Sequence, residues 1–305
     1  MGGGIAPHGL AAAVSEAGGL GQVGHAIDGN AFAREIEAAR RLTGKPLAVN
    51  VIVPLARPGH WKAAQDADIV VTHWEARPKR RGAKPWIHTC GNPEEARAAV
   101  AAGADGVIAQ GVESGGHVRG TVPALELLEQ IQAVVPAGYP VLLAGGIADA
   151  GDVQRALDAG ASAAIAGTRF VASEESGAHP GYRQRILDGS DTILTELFGM
   201  GWPKAPHRVL RNAATERWLG PGDATPRLLR QTHAALSALS PLMPLRVQAG
   251  LMARTATGPL DLSPQMPVAG MDPLALDTKP LYAGQTVARI KQVLPAADIV
   301  ALLTP

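Results

Sequence analysis

The chain has 305 residues, of which 46% are hydrophobic and 18% charged, with 36 glycines and 24 prolines. That length holds one large domain with an appendage, and that composition suits a packed α/β protein with many tight connections, not a disordered chain. A net charge of +1 excludes a general nucleic-acid or membrane-surface role, since no field of one sign dominates.

The predicted elements follow one rhythm. An alanine-rich helix over residues 11–18 leads into a short strand over 20–24. The segment Gly19-Leu20-Gly21-Gln22-Val23-Gly24 fits GxGxxG, but a dinucleotide fingerprint needs a strand before it and a helix after it. Here the helix comes first and the strand runs through the motif, so the Rossmann reading is set aside. Residues 47–53 form an apolar run interrupted only by Asn50, and residues 68–74 and 86–90 are further strands. Between them Arg77-Pro78-Lys79-Arg80-Arg81 reads as a solvated basic loop.

Cys90 is the single cysteine and cannot form an intramolecular disulfide, so nothing demands an oxidising compartment; it reads as a small buried hydrophobe. Asn92 as N-cap, Pro93 at the first helical position and Glu95 two further on start the next helix. It runs to Gly103 and leads into a strand over 106–109. Then comes the glycine-rich loop Gln110-Gly-Val-Glu-Ser-Gly115-Gly116-His117-Val-Arg-Gly120. A strand over 141–144 ends in Gly145-Gly146, and one over 163–166 ends in Gly167-Thr168.

Helix and strand alternating at this spacing imply right-handed βα units and a parallel sheet. The count is seven strands, so the fold class is α/β, a TIM (β/α)8-type barrel with its first strand missing or truncated. That strand would precede Gly2-Gly3-Gly4; either the start is truncated or another segment fills the slot. After residue 190 the rhythm breaks. Helices are predicted over 192–198, 210–219 and 226–239, followed by a stretch rich in proline and glycine. Residues 191–276 are therefore read as a helical cap or substrate domain. Residues 1–190 with 277–305, the latter carrying a last helix to about Leu303, form the barrel.

Strands that finish in ligand-compatible loops place a binding site at the carboxyl end of the sheet. The Gly145-Gly146 and Gly167-Thr168 pairs either cradle a phosphate through backbone N–H groups or merely allow tight turns, and two consecutive pairs favour phosphate. Asn50 and Gln110 are core amides or hydrogen-bonding partners of a flat heterocycle; two of them above a phosphate cup suggest a flavin. His117 is the one histidine in a site-like context, either a base for a carbon-bound proton or a structural loop residue. Glu113 is an orienting group or a rim charge. The remaining histidines show no metal-ligand spacing, and no serine sits in a GxSxG elbow, so neither a metal site nor a hydrolase is expected. No signal peptide opens the chain and no apolar run reaches membrane-spanning length, so the expected location is cytoplasmic.

The chain resembles the nitronate monooxygenases, formerly called 2-nitropropane dioxygenases. The matching segments are Gly2-Gly3-Gly4 with residues 10–21, Val49-Asn50, residues 110–117, Ala144-Gly-Gly-Ile-Ala-Asp149, and Gly167-Thr-Arg-Phe170. Glu174-Glu-Ser176, His179-Pro180 and the late Tyr282-Ala-Gly284-Gln285 continue the set. The resemblance implies a TIM barrel holding non-covalent FMN, with Gly145, Gly146, Gly167 and Thr168 at the phosphate. Met1, Gly2, Gly3, Asn50, Gln110, Gly115, Gly116, Tyr282, Gly284 and Gln285 would border the ring and ribityl chain. His117 would be the base. It further implies oxidation of alkyl nitronates by O2 to a carbonyl compound and nitrite, with these small molecules as partners, no nucleic acid or membrane, and room for a homodimer. Ser114 stands where alanine is usual, a change expected to be neutral. Two alternatives stay open: an FMN-dependent enoyl-acyl-carrier-protein reductase using NAD(P)H, and a non-catalytic flavin-binding barrel.

Overall fold

In the computed structural model of the protein, residues 1–75, 78–199, 205–239, 262 and 264–305 are described. The predicted strands form β1 (Gly21–Val23), β2 (Leu47–Ile52), β3 (Ile69–His73), β4 (Trp86–Cys90) and β5 (Gly106–Gln110). After a two-residue strand β6 (Gly116–His117), which belongs elsewhere, follow β7 (Val141–Ala144) and β8 (Ala163–Ile165). The main sheet has seven strands in the order β1-β2-β3-β4-β5-β7-β8, and every pairing in it is parallel. β1 and β8 are its edges, and among the described residues no strand lies between them.

Alternation along each strand separates two cores. On β2, Leu47, Val49 and Val51 pack outward with Phe32 and Ile36 of α2 (Gly29–Leu42) and with Ala63 and Ala64. The opposite face carries Ala48, which meets Val71 and Ile108 inside the curl of the sheet, with Ile87, Leu142 and Ile165 around them. On the outer side of β5 and β7, Val107, Ala109, Val141 and Leu143 pack under Leu127, Leu128 and Ile131 of a helix over Ala124–Gln132. Cys90 is buried in this outer layer, and its surroundings push the thiol up to about 12, so it acts as a small hydrophobe.

The predicted start of the helix over Pro93–Ala101 is observed: the Asn92 side chain accepts from the Glu95 N–H at 2.9 Å, and Glu95 Oε2 accepts from the Gly91 N–H at 2.9 Å. The GxGxxG segment has a packing origin. A Cβ on Gly21 would lie 1.8 Å from the Ala11 carbonyl oxygen, so the bare backbone lets α1 (His8–Glu16) sit directly on β1.

Beyond residue 190 the expectations need correction. Residues 193–195 are strand β9 (Ile193–Thr195), not the middle of a helix. β10 (His207–Leu210) takes only the first residue of the next predicted helix, over 210–219, and that helix is confined to Ala213–Trp218. β9, β10, β6 and β11 (Leu281–Tyr282) form a second, antiparallel sheet. The third predicted helix is present over Arg227–Leu239. The proline- and glycine-rich stretch falls mostly on residues 240–261, outside the described ones, as does Arg77 of the basic run. In the described part of that run Lys79 and Arg80 are exposed, as expected of a solvated loop, and its arginines are paired. Arg81 makes a two-toothed ion pair with Glu75 at 2.7 and 2.8 Å and lies over Trp61, and Arg80 pairs with Asp105. The last helix starts late, at Ala296 after Pro295, and packs through Ala296 against Leu10 of α1.

Candidate functional site

The carboxyl ends of the strands collect the predicted residues. Asn50 sits on the inner face of β2, with its Nδ2 3.4 Å from Gln22 Oε1 of β1. Its Oδ1 is buried with no hydrogen-bond partner among the described residues, and so are His73 Nε2 and Thr89 Oγ1 on the next two strands. A buried polar atom left unmatched costs about 1–3 kcal/mol, so three on adjacent strands mark a surface built to meet something else. Sequence reasoning found Asn50 and missed His73 and Thr89. The signal was their parity with Val71 and Ile87, which face inward. It was masked because strands buried on both faces show no alternation.

Around this row, Met1–Gly3 lies across the end of β1, with the Gly3 N–H donating to the His25 carbonyl at 3.1 Å. Gly145 and Gly146 both have left-handed backbones at the end of β7 (φ +114° and +76°). A side chain on Gly146 or Gly167 would meet nothing within 4 Å, so both open onto free space. Thr168 begins a short helix to Val171, and its hydroxyl accepts from the Gly284 N–H at 2.9 Å, tying the β8 loop to the late segment.

The loop after β5 is held on several sides. Gln110 does not present a free amide: its Nε2 donates to the His117 carbonyl at 3.3 Å and its Oε1 accepts from the Arg119 N–H at 3.0 Å. Glu113 orients backbone and does not idle at the rim. Its carboxylate accepts from the Ala124 N–H at 3.0 and 3.1 Å, and its carbonyl accepts from the Gln285 N–H at 3.0 Å. The Ser114 hydroxyl, absent from the usual alanine, donates to the Ala144 carbonyl at 3.2 Å, beside Gly145. A Cβ on Gly115 would lie 2.6 Å from the Gly284 nitrogen, which is how closely the loop and the late segment approach.

His117 lies in β6 and pairs with His207 of β10. Its ring is surrounded by Trp74 at 5.8 Å (88° between planes), His207 at 5.2 Å and Tyr282 at 5.5 Å. This enclosure shuts Nε2 from solvent and, with His207 beside it, holds the imidazole well below its usual pKa; the ring is neutral at neutral pH. His207 is fully committed: its Nδ1–H donates to the Ala205 carbonyl at 3.1 Å and its Nε2 accepts from the Phe198 N–H at 3.1 Å. Burial pushes it down to about 4. Trp74, His207 and Tyr282 were not foreseen as neighbours of His117, because nothing in the chain shows that β6 pairs with a strand some ninety residues on.

Among the described residues no group of three or more histidine, cysteine or acidic side chains could hold a metal. No described helix is long and apolar enough to cross a membrane. Two clefts of about 270 and 370 Å³ share Glu196 and Arg230, but neither is lined by a residue predicted for the site.

Comparison with known proteins adds the following. The family model described as nitronate monooxygenase matches residues 1–88 and 79–305. A (3aS,4S,5R,7aS)-5-hydroxy-7a-methyl-1-oxo-octahydro-1H-indene-4-carboxyl-CoA dehydrogenase from Mycobacterium tuberculosis is 33% identical over 222 residues, 68% of this chain and 61% of that protein. The chain thus spans less than two thirds of that relative's length. A nitronate monooxygenase from Pseudomonas aeruginosa is 33% identical over 274 residues, covering 69% of this chain and 76% of that one. The structure of FabK from Thermotoga maritima matches with a TM-score of 0.74 at 30% identity, over 99% of this chain and 90% of that one.

Proposed function

Because the chain belongs to the nitronate monooxygenase family of flavin enzymes, we propose that it oxidises alkyl nitronates with O2 to a carbonyl compound and nitrite, using FMN. The observation that carries this reading is the meeting, at one end of the sheet, of an enclosed neutral imidazole and a row of unmatched buried polar atoms. The residues present fit the cofactor. Gly145, Gly146, Gly167 and Thr168 would hold its phosphate, since two of these glycines border free space and helix starts present N–H groups. Asn50, with His73 and Thr89, would meet polar atoms of the ring. Met1, Gly2, Gly3, Gly115, Gly116, Tyr282, Gly284 and Gln285 would border the ring and ribityl chain, and Gln110 contributes by fixing the loop. Bound FMN would supply the electron transfer between substrate and O2.

The chain's own part is to exclude water, orient the substrate and handle one proton. His117 is the residue for that proton. Its imidazole is neutral at neutral pH, but an imidazolium formed here would be poorly solvated and would face His207. It is therefore a weak base, and the arrangement favours substrate that arrives already as the nitronate. Neutral nitroalkanes need the proton transfer and should react more slowly. The described part of residues 191–276, which carries β10 and His207, would cover the mouth.

Oxygen uptake by FMN-loaded protein on adding a small alkyl nitronate, without NAD(P)H, tests the reading. Uptake with nitrite release is expected. No uptake, with a flavin that NADH bleaches, would replace it by the reductase; a bound flavin inert to both would leave a binding protein. His117→Ala should lower kcat/KM for a neutral nitroalkane about 100-fold or more while leaving nitronate turnover within about tenfold and flavin bound.

A further inference from the structure

Trp74 follows the last residue of β3 and has φ +67°, one of two described non-glycine residues with positive φ. That conformation is costly for a bulky side chain, on the order of 1–3 kcal/mol, and persists only where the surroundings fix it. Its effect is directional. His73, just before it, has its Nε2 in the inner polar row, so simple alternation would send residue 74 toward the outer layer. The left-handed turn brings the indole back instead, edge-on to His117 at 5.8 Å.

The indole is also held by a cation. The Arg119 guanidinium lies 4.9 Å from the ring centre, and Arg119 is itself ion-paired to the buried carboxylate of Glu95. The Arg119 backbone is fixed by Gln110. Of the three described rings around His117, His207 and Tyr282 are buried and tied down, Tyr282 through its hydroxyl to the Pro264 carbonyl at 3.2 Å. Trp74 is the partly exposed one, so it stands on the side from which a substrate can come.

We propose that Trp74 is the gate to His117: its ring closes the approach to the imidazole and bounds the alkyl group of the substrate, admitting short chains. The catalytic role of His117 rests on the functional reading above; the enclosure of His117 by Trp74 does not. Trp74 acts through space and through His117, and is a specificity and positioning residue.

The test uses Trp74→Asn, which tolerates the left-handed backbone and removes the ring, and Trp74→Phe as the conservative variant should the first fail to fold. In the FMN-loaded enzyme, the ratio of kcat/KM for a six-carbon over a two-carbon primary nitronate should rise about tenfold in Trp74→Asn and less in Trp74→Phe. Equal losses on both substrates would overturn the gate and make Trp74 a packing residue. Wild-type protein inactive on every nitronate would instead overturn the functional reading, and the gate is then decided without turnover. Histidine NMR, with His117 assigned by its loss in His117→Gln, should show the imidazole titrating well below 6.5 in the wild type. It should titrate higher in Trp74→Asn, because water reaches the ring while His207, Tyr282 and Arg119 stay in place. An unchanged titration would overturn the gate.

Discussion

Thr89 Oγ1 is shut from solvent on the inner face of β4 with no hydrogen-bond partner among the described residues, while its neighbour in sequence, His88, is fully satisfied. In the outer layer the Trp86 Nε1–H donates to Thr72 Oγ1 at 2.7 Å, and that hydroxyl donates to His88 Nδ1 at 2.7 Å. The His88 Nε2–H then donates to the Glu75 carbonyl at 2.9 Å, which completes a consistent neutral tautomer. A sequence that satisfies one threonine so fully and leaves the other bare has spent stability at the second. Replacing Thr89 by valine keeps the shape and removes the unmatched hydroxyl. Without flavin, the variant should be as stable as the wild type or more so by about 1 kcal/mol. With flavin, the dissociation constant should rise about five- to tenfold. Urea unfolding and flavin fluorescence quenching read the two effects; a weaker apo fold with unchanged affinity would mean that Thr89 only packs. Single-residue chemistry of this kind was half legible. Asn50 stood out as a polar interruption of an apolar run, whereas Thr89 in a run of mixed polarity did not.

The loop after β5 is the element on which the site depends, and four contacts from separate parts of the chain hold it. Arg208 of β10 donates to the Val112 carbonyl through Nε and Nη2 at 3.0 and 2.8 Å. Glu113 caps the next helix, Ser114 binds the end of β7, and Gly115 lies against Gly284. Gly115→Ala would place a methyl 2.6 Å from the Gly284 nitrogen. Backbone must then separate, with an expected loss of about 1–3 kcal/mol and a fall in flavin affinity larger than the stability loss alone would give. Gly138→Ala, on a glycine with nothing within 4 Å, is the control for general loop strain; its φ is +74°, so it costs some stability but should leave flavin affinity unchanged. Elements were legible where local pattern and fold agree. All seven parallel strands lay within a residue or two of their predicted places. β9 was not legible, because Ile193, Leu194, Leu197 and Phe198 repeat at helical spacing and only pairing with β10 makes a strand of residues 193–195.

At the scale of the whole molecule, the count of seven strands and the parallel order were readable, because each helix–glycine–strand unit announces itself locally. The second sheet was not, because it joins residues near 117, 194, 208 and 281 and its rewards are all long-range. That folding leaves a global signature in the histidines. Burial pushes His25, His88 and His207 down to about 4 and His73 to about 3, against about 6.5 in an unfolded chain. At these four rings the unfolded state therefore binds more protons than the folded state between roughly pH 6.5 and 4, so their contribution to stability is unaffected above that window and falls as pH drops through it. Asp68, Glu75, Asp105 and Asp152, held below the usual carboxylate range by hydrogen bonds from arginines and backbone N–H groups that outweigh their desolvation, act in the same direction but at lower pH. Their stabilisation is present above about pH 4 and is lost only below it. A comparison of pH 7.5 with pH 5.5 thus reads the imidazoles without the carboxylates, together with the Met1 amine, which burial pushes from 8.0 down to about 6. One unit below 6.5, each should cost on the order of 1 kcal/mol, about 3–5 kcal/mol for the four. The urea midpoint should fall by about 1 M or more. An unchanged midpoint would mean that these rings take up protons in the folded state as readily as in water, and that the barrel mouth is far wetter than its packing implies.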